Sequence, residues 1–303
     1  MISYSIIIPH FNIPQLLERC LKSIPDREDI QVIVVDDCSS EDSIAKLKLV
    51  ESAHPNVKFV YLEKNMGGGA ARNAGLKNAV GKYVVFADSD DFFNPSFNDI
   101  LDKYKDKDFD LAFLGAGSVD SETFLPTHRA LYLNKLFKIY RFFPGYGLKL
   151  LKYAFGEPWS KIISLDMIQK HSISFDEIRI HNDTRFSYET AFYSRRIIVD
   201  STPVYCVTER ANSVSKAISD DKQLARIDVF AEKNMFLKKN GIKYVDEQVY
   251  YPFVYYWKAH NSTMLNKCFG MLKEKGYCIP YFRCCLVKYY LIRRLKDFVK
   301  RFV

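Results

Sequence analysis

Carboxylates gathered at the end of an apolar run are the first chemistry this sequence offers. Tyr83-Val84-Val85-Phe86 leads through Ala87 into Asp88, Ser89, Asp90 and Asp91, three acids within four positions. Acids that close repel one another. Either they form a solvated acidic turn, or they surround a divalent cation, which takes oxygen ligands. A second acidic pair, Asp36-Asp37, ends the run from Gln31 to Val35. A glycine-rich stretch, Asn65 to Gly75 (NMGGGAARNAG), carries Arg72. It lacks the Gly-Lys-Ser/Thr ending of a P-loop. It comes after the third strand pattern of the chain, whereas a dinucleotide fingerprint comes after the first. The acidic run is no calcium loop either, because Phe93 stands where the tight-turn glycine belongs. Two uses of the glycine stretch stay open: close backbone approach to a phosphate or base, and a plain turn.

These groups need elements to position them. Ser5 to Pro9, Gln31 to Val35, Val57 to Leu62 and Tyr83 to Phe86 read as strands, buried because their apolar runs are continuous. Between them, Leu16, Leu17, Cys20, Leu21 and Ile24 recur at helical spacing, with Pro14 suited to a first helical turn. Ile44, Leu47 and Val50 repeat that spacing behind the possible caps Ser39 and Ser40. Strand and helix alternate, which predicts an α/β fold with a doubly wound, mainly parallel sheet. Ligands of such sheets sit at the carboxyl ends of strands. Asp36-Asp37, the glycine stretch and Asp88-Ser89-Asp90 all fall there, so the acids converge on one edge. Further on, Leu111 to Leu114, Ile197 to Val199 and Val204 to Val207 read as strands, and the chain is helical from Asp220. Residues 123–156 are aromatic and basic, with Gly145 and Gly147 as hinges.

Bulk properties narrow the class. The 303 residues hold 44 Lys and Arg against 36 Asp and Glu, a mild excess of +8. No nucleic-acid recognition motif accompanies that charge, so nucleic acid is not an expected partner. Seven scattered Cys, an odd number without a CxxC pair, argue against a disulfide framework and a structural zinc site. No signal-peptide pattern and no uncharged run of membrane-span length is present, so a cytoplasmic setting is expected.

Four stretches in order, SIIIPHFN, VIVVDDCSSEDS, NMGGGAARNAGL and GKYVVFADSDDFF, resemble glycosyltransferase family two, with its GT-A fold. The likeness is close over the first third and looser through PWSKIIS, HNDTRF and PVYCVTERANSVS. Cys38 departs from the usual glycine of the aspartate turn, and Asn182 from a frequent glutamate. The resemblance implies an inverting transferase that moves a sugar, a hexose or N-acetylhexosamine, from a nucleotide donor, a UDP-sugar, to a growing glycan or lipid-linked oligosaccharide. A non-catalytic nucleotide-sugar or glycan-binding protein is the alternative. The same resemblance implies roles for single residues. Pro9, Asn12 and Gly67 belong to the donor pocket, Asp36 faces uracil or ribose, and Arg72 lies near the base. Asp88 and Asp90 match the DxD motif and hold Mg²⁺ or Mn²⁺, with Asp88 also reaching the ribose, while Asp91 caps the next segment. Asp183 is the general base, or else caps the next helix. Trp159 and Lys161 match an acceptor-side segment, although Trp159 suits a core equally. Arg210 and Ser213 to Ser215 match a stretch closing over the donor phosphates. The expected organisation is a catalytic domain at 1–219, with a nucleotide half at 1–115 and an acceptor half at 116–219, and a helical region at 220–303. Within 284–303, Cys284, Val287, Leu291, Leu295, Phe298 and Phe302 form an apolar helical face opposite a basic one, which suits an anionic membrane surface or a packed helix.

Overall fold

The computed structural model describes residues 2–210 and 219–299, with side chains through Arg294. The chain divides into two compact units, Met1–Ser215 and Lys216–Val303. The first begins with β1 (Tyr4–His10), α1 (Pro14–Lys22), β2 (Ile30–Asp36), α2 (Glu41–Ala53), β3 (Val57–Tyr61), α3 (Gly68–Asn78) and β4 (Tyr83–Phe86). Pro14 occupies the first turn of α1, where its missing N–H costs nothing. The unit continues with β5 (Phe92–Phe93), α4 (Ser96–Tyr104), β6 (Leu111–Asp120), α5 (Leu131–Phe142), α6 (Pro144–Ala154), β7 (Lys161–Ser164), α7 (Leu165–Lys170), α8 (Thr184–Tyr193) and β8 (Ile197–Glu209).

Eight strands make one sheet in the order β3-β2-β1-β4-β7-β6-β8-β5. The pairs β2–β3, β1–β2 and β1–β4 are parallel, so their carboxyl ends share an edge as expected. His10 lies opposite Asp36 across β1–β2, and Ile7 opposite Phe86 across β1–β4. Beyond β4 the sheet is mixed. β7 runs antiparallel to both β4 and β6, and β5 antiparallel to β8. The reason is local: the chain leaves β6 at the shared edge, turns through α5 and α6, and comes straight back down β7 without a crossover. The two short strands expected near 197 and 204 are one strand, β8, with register shifts opposite Leu114 to Ala116. Gly115 sits in that irregularity, where a Cβ would lie 2.2 Å from the Ser201 carbonyl oxygen.

Ile6, Ile7, Ile8, Val34, Tyr83, Phe86 and Phe113 are fully buried, as continuous apolar strands require. Helix α3 packs directly on β1, since a Cβ on Gly75 would collide with Ile7 Cγ2. Gly145 and Gly147 are not hinges but lie within α6. A Cβ on Gly147 would fall 2.2 Å from Tyr140 Cα, so that glycine lets α5 and α6 press together.

The second unit holds α9 (Asp220–Lys239), a 3-10 turn (Glu247–Tyr250), α10 (Tyr251–Lys258), α11 (Ser262–Glu274) and α12 (Ile279–Val299). Its own core includes Ile227, Phe230, Phe253, Tyr256, Leu272, Phe282 and Tyr289. A buried ion pair, Lys233 Nζ to Asp246 Oδ2 at 2.6 Å, ties α9 to the segment before the turn. On α12 it is Phe282 and Tyr289 that face this core, whereas Cys284, Val287 and Leu291 are exposed. The side chains of Leu295 and beyond lie outside the described residues.

Candidate active site at the carboxyl edge

The turn after β4 is built from its backbone outward. Tyr205 of β8 is fully buried; its hydroxyl accepts from the Asp88 backbone N–H (2.8 Å) and donates to Asp91 Oδ2 (2.9 Å). Asp91 Oδ1 accepts from the Thr208 N–H (2.7 Å), and the Asp90 carbonyl accepts from Thr208 Oγ1 (2.6 Å) and from the Arg19 guanidinium. Asp91 therefore ties the turn to β8 and does not cap the next segment. Burial, then the charges of Asp88 and Asp90, push its carboxyl well above the usual range. Asp88 and Asp90 remain partly open. Asp88 Oδ1 pairs with Arg72 at 2.6 Å, and Asp90 Oδ2 with Arg210 at 2.6 Å. Burial and the neighbouring Asp88 raise the Asp90 carboxyl despite Arg210.

The acidic pair after β2 is quite different. Asp36 is buried; its Oδ1 accepts from His10 Nδ1 (2.7 Å) and Ser39 Oγ (2.5 Å), and its Oδ2 from the Ser39 N–H (2.9 Å). His10 Nε2 accepts from the Ile13 N–H at 3.2 Å, which assigns the proton to Nδ1. Burial opposes ionisation of Asp36, but the hydrogen bonds from His10 and Ser39 outweigh it and hold the carboxyl below its ordinary value. Asp37 accepts from the Met66 N–H (2.8 Å) and the Gly67 N–H (2.7 Å), which anchors the glycine stretch ahead of α3. Gly67 has φ +89°, a left-handed backbone that favours glycine. Asn12 accepts from the Ser40 N–H at 2.8 Å, binding the loop after β1 to the loop after β2. Pro9 pairs with Val35 one residue inside that edge.

Arg72 joins the acidic turn to a distant segment. On its other side it donates to Asn182 Oδ1 at 3.2 Å, next to Asp183. Its ring neighbour is Phe175, 5.5 Å from the guanidinium carbon. The loop before Asp183 closes on itself, the Asp176 N–H donating to the Asn182 carbonyl (3.1 Å). Gly69 of α3 packs against it; a Cβ there would lie 2.1 Å from the Asp176 carbonyl oxygen. Asp183 precedes α8, yet its side chain makes no capping hydrogen bond. Half-buried, it is pushed up to about 6 by burial, with Glu157 and Asp88 adding to the rise and Arg72 opposing it. A carboxylate at that value is mostly ionised at neutral pH and still basic enough to take a proton.

The structure does not bring Trp159 and Lys161 to an acceptor surface. Trp159 is 6% exposed and stacks on Tyr205 at 5.6 Å, so its ring buttresses the acidic turn from within the core. Lys161 is buried on β7, donating to the Phe155 carbonyl (3.1 Å) and Ser187 Oγ (3.3 Å). Ser213 to Ser215 lie outside the described residues. Tyr205 and Thr208 fall within PVYCVTERANSVS, but that likeness gives them no role, and Arg19 lies in none of the matching stretches. The one available signal was a tyrosine inside an apolar strand, whose hydroxyl must find a buried partner.

Residues 5–171 match the model of Glycosyl transferase family 2. Glycosyltransferase GlyA of Streptococcus pneumoniae is 26% identical over 246 residues, covering 78% of this chain and 35% of that protein. This chain thus spans little more than a third of the pneumococcal protein's length. A crystal structure of Staphylococcus aureus TarS 1-349 in complex with UDP-GlcNAc superposes with a TM-score of 0.60 at 21% identity, over 89% of this chain and 72% of that one. The mannosyltransferase PcManGT from Pyrobaculum calidifontis, in complex with GDP-Man and Mn²⁺, gives 0.56 at 15% identity, over 95% of this chain and 80% of that one. These two likenesses carry the GT-A fold. With the family model matching more than half of its residues, the chain belongs to glycosyltransferase family 2.

Proposed function

We propose that this chain transfers a sugar, a hexose or N-acetylhexosamine, from a UDP-sugar to a hydroxyl of a growing surface glycan or lipid-linked oligosaccharide, with inversion. The observation that carries the reading is Asp183: a carboxylate raised to about 6, free of the capping duty its position offers, and linked through Asn182 and Arg72 to the acidic turn. In the proposed step the acceptor hydroxyl gives its proton to Asp183 while its oxygen attacks the anomeric carbon. The bond from that carbon to the diphosphate oxygen breaks, and the nucleoside diphosphate leaves. One displacement inverts the centre. The transition state is oxocarbenium-like, as in glycoside hydrolysis. Paired with Asp88 and Asp90, Arg72 and Arg210 offer two guanidinium groups to the charge that develops on the diphosphate, which for Arg72 replaces the place near the base that the resemblance implies. Each retains a buried Nε–H without a partner among the described residues.

The donor set fits a divalent cation. Asp88 and Asp90 offer hard oxygens, both partly open at the same turn. Among the described residues no group of three or more His, Cys, Asp or Glu side chains is placed to hold a metal alone. Magnesium commonly takes one or two carboxylates and completes its shell with substrate phosphates. When bound, Mg²⁺ or Mn²⁺ supplies charge that stabilises the diphosphate leaving group. TarS was solved with UDP-GlcNAc and PcManGT with GDP-Man and Mn²⁺, which supports a nucleotide sugar here and leaves the choice of UDP as our own. The test is a thermal-shift screen of UDP- and GDP-sugars with and without Mn²⁺, followed by donor turnover with the best ligand. No nucleotide sugar that stabilises the chain would refute the proposal. Binding without turnover on any acceptor would make it a nucleotide-sugar-binding protein.

A further inference from the structure

From Thr123 to Gly156 the chain contains no Asp or Glu, but it has six cations: Arg129, Lys135, Lys138, Arg141, Lys149 and Lys152. Helices α5 and α6 form a tight corner in the middle of this stretch, with Phe143 ending one and starting the other. Leu133, Leu136 and Phe137 turn inward, and Gly147 closes the corner against Tyr140. Residues 141–146 are exposed without interruption. Among them are Phe142 (72% exposed), Phe143 (66%) and Tyr146 (56%). Adjacent exposed phenylalanines on an ordered corner mark a contact surface.

We infer that the α5–α6 corner docks the catalytic unit on an anionic lipid bilayer. Aromatic rings favour the boundary between headgroups and acyl chains, and flanking cations favour anionic headgroups. The charge pattern argues against a second copy of this chain, because a self-paired corner would set cations against cations. An uninterrupted exposed run also lacks the walls a glycan-binding cleft needs. The corner springs from the ends of β6 and β7 on the sheet edge that carries the acidic turn, so docking there brings that edge toward the lipid surface. No described helix is long and apolar enough to cross a membrane, which fits contact with a surface. Such docking goes beyond sugar transfer and stands without it.

The experiment is co-sedimentation of the full chain with vesicles of phosphatidylglycerol and phosphatidylcholine in equal parts, against vesicles of phosphatidylcholine alone. We expect binding to the anionic vesicles only, weakening as salt rises from about 0.1 M to about 0.5 M. Phe142→Ser with Phe143→Ser should weaken it at least tenfold and leave donor hydrolysis unchanged. Lys138→Glu with Arg141→Glu should do the same, and keeps the question answerable if the serine variant misfolds. In Tyr146→Trp, the new fluorescence should shift to the blue on adding anionic vesicles. Failure of the wild-type chain to bind overturns the inference. So does undiminished binding by the folded variants, which would place the contact elsewhere in the chain. A dimer in solution that the serine variant dissolves, without vesicle binding, would make the corner an interface between copies.

Discussion

Two acidic turns sit on the same sheet edge, one after β2 and one after β4, and they treat charge in opposite ways. Asp36 and Asp37 are saturated by their own protein: five hydrogen bonds from His10, Ser39, Met66 and Gly67 fill their oxygens. Asp88, Asp90 and the distant Asp183 are left short. Among the described residues, the Asp88 and Asp90 carboxylates pair with a single guanidinium each, and Asp183 makes no capping bond. A satisfied carboxylate costs little and stiffens a loop, whereas an unsatisfied one costs stability and persists where a ligand or a reaction uses it. Asp36 and Asp37 thus hold their own loops in place, whereas the proposed transfer draws on Asp88, Asp90 and Asp183.

The sharpest test of that contrast is Asp183→Asn. Transfer should fall about 10³-fold, the range of a lost general base, with donor affinity within about twofold. Folding should respond in the other direction. A carboxyl raised from 3.8 to about 6 lowers stability as pH climbs between those values, because the folded state holds its proton longer. Removing it should stabilise the chain at pH 7.5 by up to about 3 kcal/mol in urea titrations. A less stable variant would move Asp183 to the satisfied class. The acid limb of transfer in the parent chain should bend near pH 6, and a limb near 4 would break the assignment.

Asp90→Asn comes next, with transfer down about 10²-fold and loss of the extra thermal stabilisation that a donor gains from Mn²⁺. Asp37→Asn should behave conversely. It weakens two hydrogen bonds to a charged acceptor, so about 1.5–3 kcal/mol of folding stability should go while transfer by the folded fraction stays within about tenfold. Ser39→Ala is the mildest, at about 1 kcal/mol with transfer unchanged. Its loss should be full above the ordinary carboxylate value and shrink as pH falls below it, since the depressed Asp36 carboxyl contributes stability there and loses it in acid.

The strands of the first third and their common edge were legible because β1, β2 and β4 are continuous apolar runs closed by acids, a pattern read one residue at a time. What escaped depends on distance along the chain. Tyr205 reaches Asp88 across 117 positions, and no local pattern announces such a bond. Trp159 and Lys161 sit in a stretch that resembles an acceptor-side segment; only the stacking on Tyr205 and the burial of β7 turn them inward. The mixed half of the sheet was hidden because direction depends on the α5–α6 return, and strand composition does not encode direction.

Gly69 touches no proposed substrate, yet any side chain there meets the Asp176 carbonyl at 2.1 Å and Asn182 Cβ at 3.0 Å. The loop that would have to yield is the one that ends in Asp183. Since a shift of about 1 Å can cost about 10²-fold in rate, inherited changes at this position would leave a folded, abundant, inactive protein. A survey of tolerated variants should therefore find Gly69 as intolerant as the aspartates themselves, for reasons of spacing alone.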